Sequence, residues 1–290
     1  MRRLDYRAAL LLGMAGASTP LQGQAVAANT ALPGHIVNVA AGEYAFSAPD
    51  TIPGGLTTFQ LRQDGRVKGG THLGPWGRDS LVTHEGDATA GFHMLWVVRL
   101  DAGRTAADLF AAARDGTPLP GRIIGGPGFA YPPSTTNATM MLEPGNYVLA
   151  CFVGSAREDR SRYHLLKGMF RPLTVVPPRG EPLPLPRPDV IVTVDSADQL
   201  TFSTPISRPG RWRVLVRNKS AKRLELAVVR VFPGHTAEEA LAWRRRNGKP
   251  PVSEPWGGLA GVAQGDSLLT TITFVRGTYI AHGATIRVGE

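Results

Sequence analysis

The segment YVLACFVGSAREDRSRYHLLKGM, residues 147–169, concentrates side chains able to hold a soft metal ion. Cys151 is the single cysteine of the chain. His164 follows it after twelve intervening residues, and Met169 follows after four more. A thiolate, an imidazole and a thioether are soft or intermediate donors, better matched to copper than to calcium or magnesium. His93, just ahead of the apolar stretch LWVVRL, offers a second imidazole. Together they supply a trigonal set of two histidines and a cysteine, with methionine as a weak axial donor. His72 and His84, in the segment before His93, compete for its place, and Met94 competes with Met169. Each residue also has a plainer reading. Cys151 after YVLA suits a packed thiol, His164 a surface or capping histidine, and Met169 a core filler. It is the ordered set that argues for a metal. Phe152 and Leu165, beside two of the donors, are apolar enough to shield an ion and to form a docking patch.

Strands must deliver these residues. Alternation or short apolar runs at 36–39, 58–61, 95–100, 139–142 and 147–152 are separated by Gly, Pro or Asp, which predicts short strands joined by turns. The chain also matches itself. EYAFSAPDTIPGGLTTFQL lies over QLTFSTPISRPGRWRVLV, and LWVVRLDAGRTAADLFAAARDG over LAVVRVFPGHTAEEALAWRRRNG. LEPGNYVLA lies over FVRGTYIAH, with Tyr147 opposite Tyr279. Matched blocks in one order point to a duplication. Each copy has one short helix, capped by Thr105 with Asp108 and by Thr236 with Glu239. The proline-dense residues 177–188 between the copies cannot pair as a central strand and read as a spacer.

The copies differ where the chemistry would be. The first carries an insertion over about 66–91, rich in glycine and polar residues and read as an irregular loop ending just before His93. It is placed across or beside the metal end. In the second copy Gly283 takes the place of Cys151, and the loop bearing His164 and Met169 is missing. A metal is therefore expected in the first copy alone.

On these residues the chain resembles the cupredoxins, the type 1 or blue copper proteins, in a tandem form. GNY leads an apolar strand into cysteine, and histidine, four residues and methionine keep the spacing of plastocyanin-like domains. YHLLKGM looks especially like the blue copper domain of copper nitrite reductases. The twelve residues between Cys151 and His164 are more than the family usually has, so SAREDRSR must bulge outward. The resemblance implies an all-β protein of two tandem cupredoxin-like Greek-key β-sandwich domains, 32–176 and 189–290, each with a short helix. It implies one type 1 copper in the first, held by His93, Cys151, His164 and Met169. Four protein donors leave little room for a substrate, which favours one-electron carriage between redox partners over catalysis. The alternatives are a metal-free cupredoxin-like binding or structural module and, less favoured, a multicopper oxidoreductase.

Arg2, Arg3 and Arg7 precede the short apolar run AALLLGMAGA, the order of a signal peptide over 1–27, and no segment is long enough to span a bilayer as a helix. The expectation is an exported protein, periplasmic or extracellular. There a lone thiol is a liability unless buried or metal-bound. The formal charge of +9 falls to about +7 without that leader, which favours an acidic redox partner. Basic and aromatic residues are not interleaved as a nucleic-acid track would need. Ser-His-Asp order, paired carboxylates and phosphate loops are likewise missing from the sequence.

Overall fold

A computed structural model describes residues 31–42, 44–63, 66–67, 70–71, 93–129, 135–154, 163–181, 183–246 and 252–289. The expected leader, His72 and His84 lie outside them. Residues 31–290 group as one compact unit.

The first half runs β1 (His35–Gly42), β2 (Ala45–Ser47), β3 (Thr51–Pro53), β4 (Gly55–Gln63), β5 (Arg66–Val67), β6 (Gly70–Thr71), β7 (Trp96–Leu100), α1 (Ala106–Asp115), β8 (Gly121–Pro127), β9 (Thr135–Leu142), β10 (Gly145–Ala150), a 3-10 turn (His164–Lys167) and β11 (Phe170–Val176). The second runs β12 (Val190–Val194), β13 (Leu200–Phe202), β14 (Gly210–Asn218), β15 (Leu224–Val231), α2 (Ala237–Arg246), β16 (Ser253–Val262), β17 (Ser267–Phe274), β18 (Gly277–Ala281) and β19 (Ala284–Val288). The protein is mostly β, in two large sheets as a β-sandwich requires. The start of the insertion departs from the irregular loop expected there. Arg66 and Val67 pair with Thr71 and Gly70 as a short hairpin.

One sheet has the order β13-β12-β14-β17-β9-β4-β1-β2, the other β19-β18-β15-β16-β8-β7-β10-β11-β3. Each order reads outward from a central pair, β17 with β9 and β16 with β8, through matching elements of the two halves, with β3 left over at one edge. Alternation explains which strand faces turn inward. Val37, Val39 and Ala41 are buried on β1, as are Val190, Val192 and Val194 on β12, with more exposed residues between them. Buried residues from both halves form one continuous apolar cluster.

The central pairing is short in backbone register, Leu269 with Thr139 and Leu259–Ala260 with Pro127–Gly126, so side chains extend it. Asn137 donates to the Thr271 carbonyl at 2.7 Å and accepts from the Thr271 amide at 2.8 Å. Thr270 donates to the Asn137 carbonyl at 2.8 Å. Gly258 needs its missing Cβ. Its φ is +136°, and an added Cβ would lie 1.8 Å from the Leu226 carbonyl oxygen.

Both helix starts use the caps read from the sequence. Thr105 accepts from the Asp108 amide while the Asp108 carboxylate accepts from the Thr105 amide, and Thr236 and Glu239 repeat that exchange. Tyr147 and Tyr279 also share a device. Each hydroxyl donates to the carbonyl four residues earlier, Glu143 at 2.8 Å and Val275 at 2.9 Å.

Candidate metal centre

Backbone hydrogen bonds bring His93, Cys151 and His164 together from three stretches of chain. His93 stands just before β7, where the Leu95 amide is held by the Pro127 carbonyl at 3.1 Å. Cys151 directly follows β10. Its amide donates to the Met169 carbonyl at 3.1 Å, and its carbonyl accepts from the Leu165 amide at 2.9 Å. The His164 amide reaches the Val153 carbonyl at 2.9 Å, and Gly154 bridges Tyr163. These contacts close the base of the long charged loop, whose residues 155–162 lie outside the described ones. The extra length therefore leaves His164 beside Cys151. Gly168, left-handed at φ 101°, ends the 3-10 turn and lets the Met169 amide bond back to the His164 carbonyl at 3.0 Å.

The three donor atoms form a small triangle. Nδ1 of His93 and Nδ1 of His164 are 3.1 Å apart, and Sγ of Cys151 lies 4.0 and 3.7 Å from them. A point equidistant from all three is about 2.1 Å from each, the length of metal–nitrogen and metal–sulfur bonds. The chemistry of the donor set matches a soft or borderline ion, copper above all. The residues fit the group. Among the described residues these three are the one set of three or more His, Cys, Asp or Glu side chains close enough to share an ion.

The centre is dry. Cys151 and His164 are fully buried and His93 is 1% exposed. Burial pushes the Cys151 thiol from 9.0 up to about 12, against the opposing pull of the Met94 and Val153 amides. Without a metal the thiol therefore keeps its proton at neutral pH, and an incoming ion must displace it.

Met169 is fully buried and joined through its backbone to both Cys151 and His164. Phe152 and Leu165 are also buried, Leu165 completely. That suits shielding and removes Leu165 from any docking patch, because the strand end and 3-10 turn that carry the donors both face the core. The exposed aromatic nearby is Tyr163, 42% exposed, edge-on to Phe152 at 5.6 Å. Phe152 also stacks on Trp96 at 4.7 Å. Tyr44, unmarked by any spacing in the sequence, sets its ring 5.0 Å from that of His164. His235 instead meets Glu239 at the start of α2, and His282 meets Asp198.

Solved structures similar to this chain include copper proteins. Auracyanin from Roseiflexus castenholzii is 20% identical, over 50% of this chain and 98% of its own, with a TM-score of 0.28. Auracyanin A from Chloroflexus aurantiacus, a "blue" copper protein, is 18% identical over 49% and 98%, also at 0.28. A copper nitrite reductase from Nitrosomonas europaea is 14% identical over 88% of this chain and 92% of its own, at 0.22. No family model and no curated protein matches.

Proposed function

We propose that this chain is an exported type 1 copper protein that carries single electrons between redox partners. The observation that carries the reading is the buried triangle of two imidazole nitrogens and one thiol. His93, Cys151 and His164 would hold the ion, with Met169 as the weak axial donor. Copper supplies a couple between cuprous and cupric states, tuned by the axial donor and by the packing around sulfur. The chain's own part is to hold the donors in place before metal arrives and to exclude water. Cys151 gives up its proton on loading, and each imidazole presents an unprotonated Nδ1.

The wider reading is a duplicated cupredoxin-like Greek-key sandwich with domains at 32–176 and 189–290. The mirrored strand order about the central pairs supports it. Only the first domain would hold copper, and the basic charge favours a partner with an acidic surface. A carrier is favoured over an enzyme because the donors are enclosed.

Titration of purified protein with Cu(II), followed by visible absorption and paramagnetic resonance, tests this. One equivalent should give an intense thiolate charge-transfer band that Cys151→Ser abolishes. A wild-type protein that stays colourless with ample Cu(II) would be a metal-free module.

A further inference from the structure

Tyr44 lies in the two-residue turn between β1 and β2, where Gly42 pairs with Ala45. Its φ of 49° is left-handed, a conformation that a bulky side chain adopts only when its surroundings impose it. The imposed placement has a visible result. The Tyr44 ring stands edge-on to His164, centroids 5.0 Å apart at 79°, and edge-on to His93 at 6.4 Å and 75°. The two imidazoles are themselves 5.0 Å apart at 68°, so one phenol ring braces both. Lys167, on the 3-10 turn that begins at His164, places Nζ 4.7 Å from the centre of the Tyr44 ring and donates to its hydroxyl at 3.3 Å. The ring is thus held from the solvent side by a cation and from the core side by both imidazoles.

In the second half β12 and β13 are joined by a longer connection, residues 195–199, in which Asp198 is also left-handed at φ 62° and meets His282 at 3.1 Å.

We infer that Tyr44 is a positioning residue that closes the metal centre. It fixes the planes of His93 and His164 and bars water and small anions from the ion. It thereby keeps the centre an electron carrier and not a site where a small molecule binds metal. This role rests on the copper reading, yet closure is measurable without copper, because Cys151 is the single thiol of the chain.

The experiment uses the metal-free full chain and an aromatic disulfide reagent whose released thiolate is coloured. Three forms are compared: wild type, Tyr44→Phe and Tyr44→Gly. Phenylalanine keeps the ring and loses the hydroxyl that accepts from Lys167. Glycine removes the ring and suits the left-handed backbone, so the fold is not weakened at the turn. Removing the ring opens a direct path to Sγ, so Tyr44→Gly should label several-fold faster than wild type. Tyr44→Phe should stay close to wild type, and any fall in the unfolding free energy of Tyr44→Gly should be too small to account for its faster labelling. With copper loaded, azide should alter the visible spectrum of Tyr44→Gly and leave wild type unchanged. Equal labelling of wild type and Tyr44→Gly overturns the inference. So does faster labelling accompanied by a matching fall in unfolding free energy, which would make the ring merely structural. A protein that takes up no copper removes the copper reading instead, and the thiol kinetics test closure independently of it.

Discussion

Raising the pH of the metal-free protein should weaken it through Cys151, and the size of the effect follows from its burial. The thiol holds its proton to about 12 in the folded chain but only to 9.0 when exposed. Below pH 9 both states are protonated and the thiol contributes nothing to pH dependence. Above that, the unfolded chain loses the proton first, so stability falls as pH rises. Three units correspond to about 4 kcal/mol once pH passes the folded value, and to about 1 kcal/mol by pH 10. Cys151→Ser has no thiol to titrate, while groups remote from the centre titrate alike in the two proteins. The assay is urea unfolding of both between about pH 7 and pH 10, read as the difference in unfolding free energy. The wild type should lose about 1 kcal/mol relative to Cys151→Ser by pH 10. A difference that stays constant across the range would show that Cys151 is not enclosed as described, and the fully buried centre would be wrong.

Met169→Leu should keep copper and the thiolate band while shifting the reduction potential, read by redox titration; loss of copper would make Met169 more than a weak donor. Asn137→Ala removes the hydrogen bonds that pair the two halves through Thr271, and urea unfolding should register a loss of about 1–3 kcal/mol. Gly258→Ala places a methyl group against the Leu226 carbonyl at a backbone angle only glycine takes easily. It should cost about 2 kcal/mol or more in the same assay, so an unchanged midpoint would contradict the close approach.

The His-Cys-His cluster was legible because Cys151 lies at the end of the apolar run at 147–152, His93 precedes the run at 95–100, and His164 stands in the segment that follows. The helix caps were legible for the same reason, since a capping box is local in sequence. The shared sheets were not. Pairing of β9 with β17 joins Thr139 to Leu269, and nothing in either strand's alternation names its neighbour. Tyr44 was invisible for a related reason. Its contact with His164 spans well over a hundred residues, and a tyrosine in a turn carries no pattern of its own. Leu165 was misplaced as a docking residue because burial of a short 3-10 turn depends on what packs above it. The long loop raised the question of whether His164 could reach Cys151. The bridge between Gly154 and Tyr163 answers it, and a sequence cannot display such a closure.

The most direct measurement of the central claim is paramagnetic resonance and visible absorption of wild-type protein given one equivalent of Cu(II), beside His93→Ala, Cys151→Ser and His164→Ala. The expected result is one copper per chain, with an intense thiolate band and narrow parallel hyperfine splitting in wild type, both lost in all three variants. Copper that binds wild type and Cys151→Ser alike, with no thiolate band, would contradict the assignment.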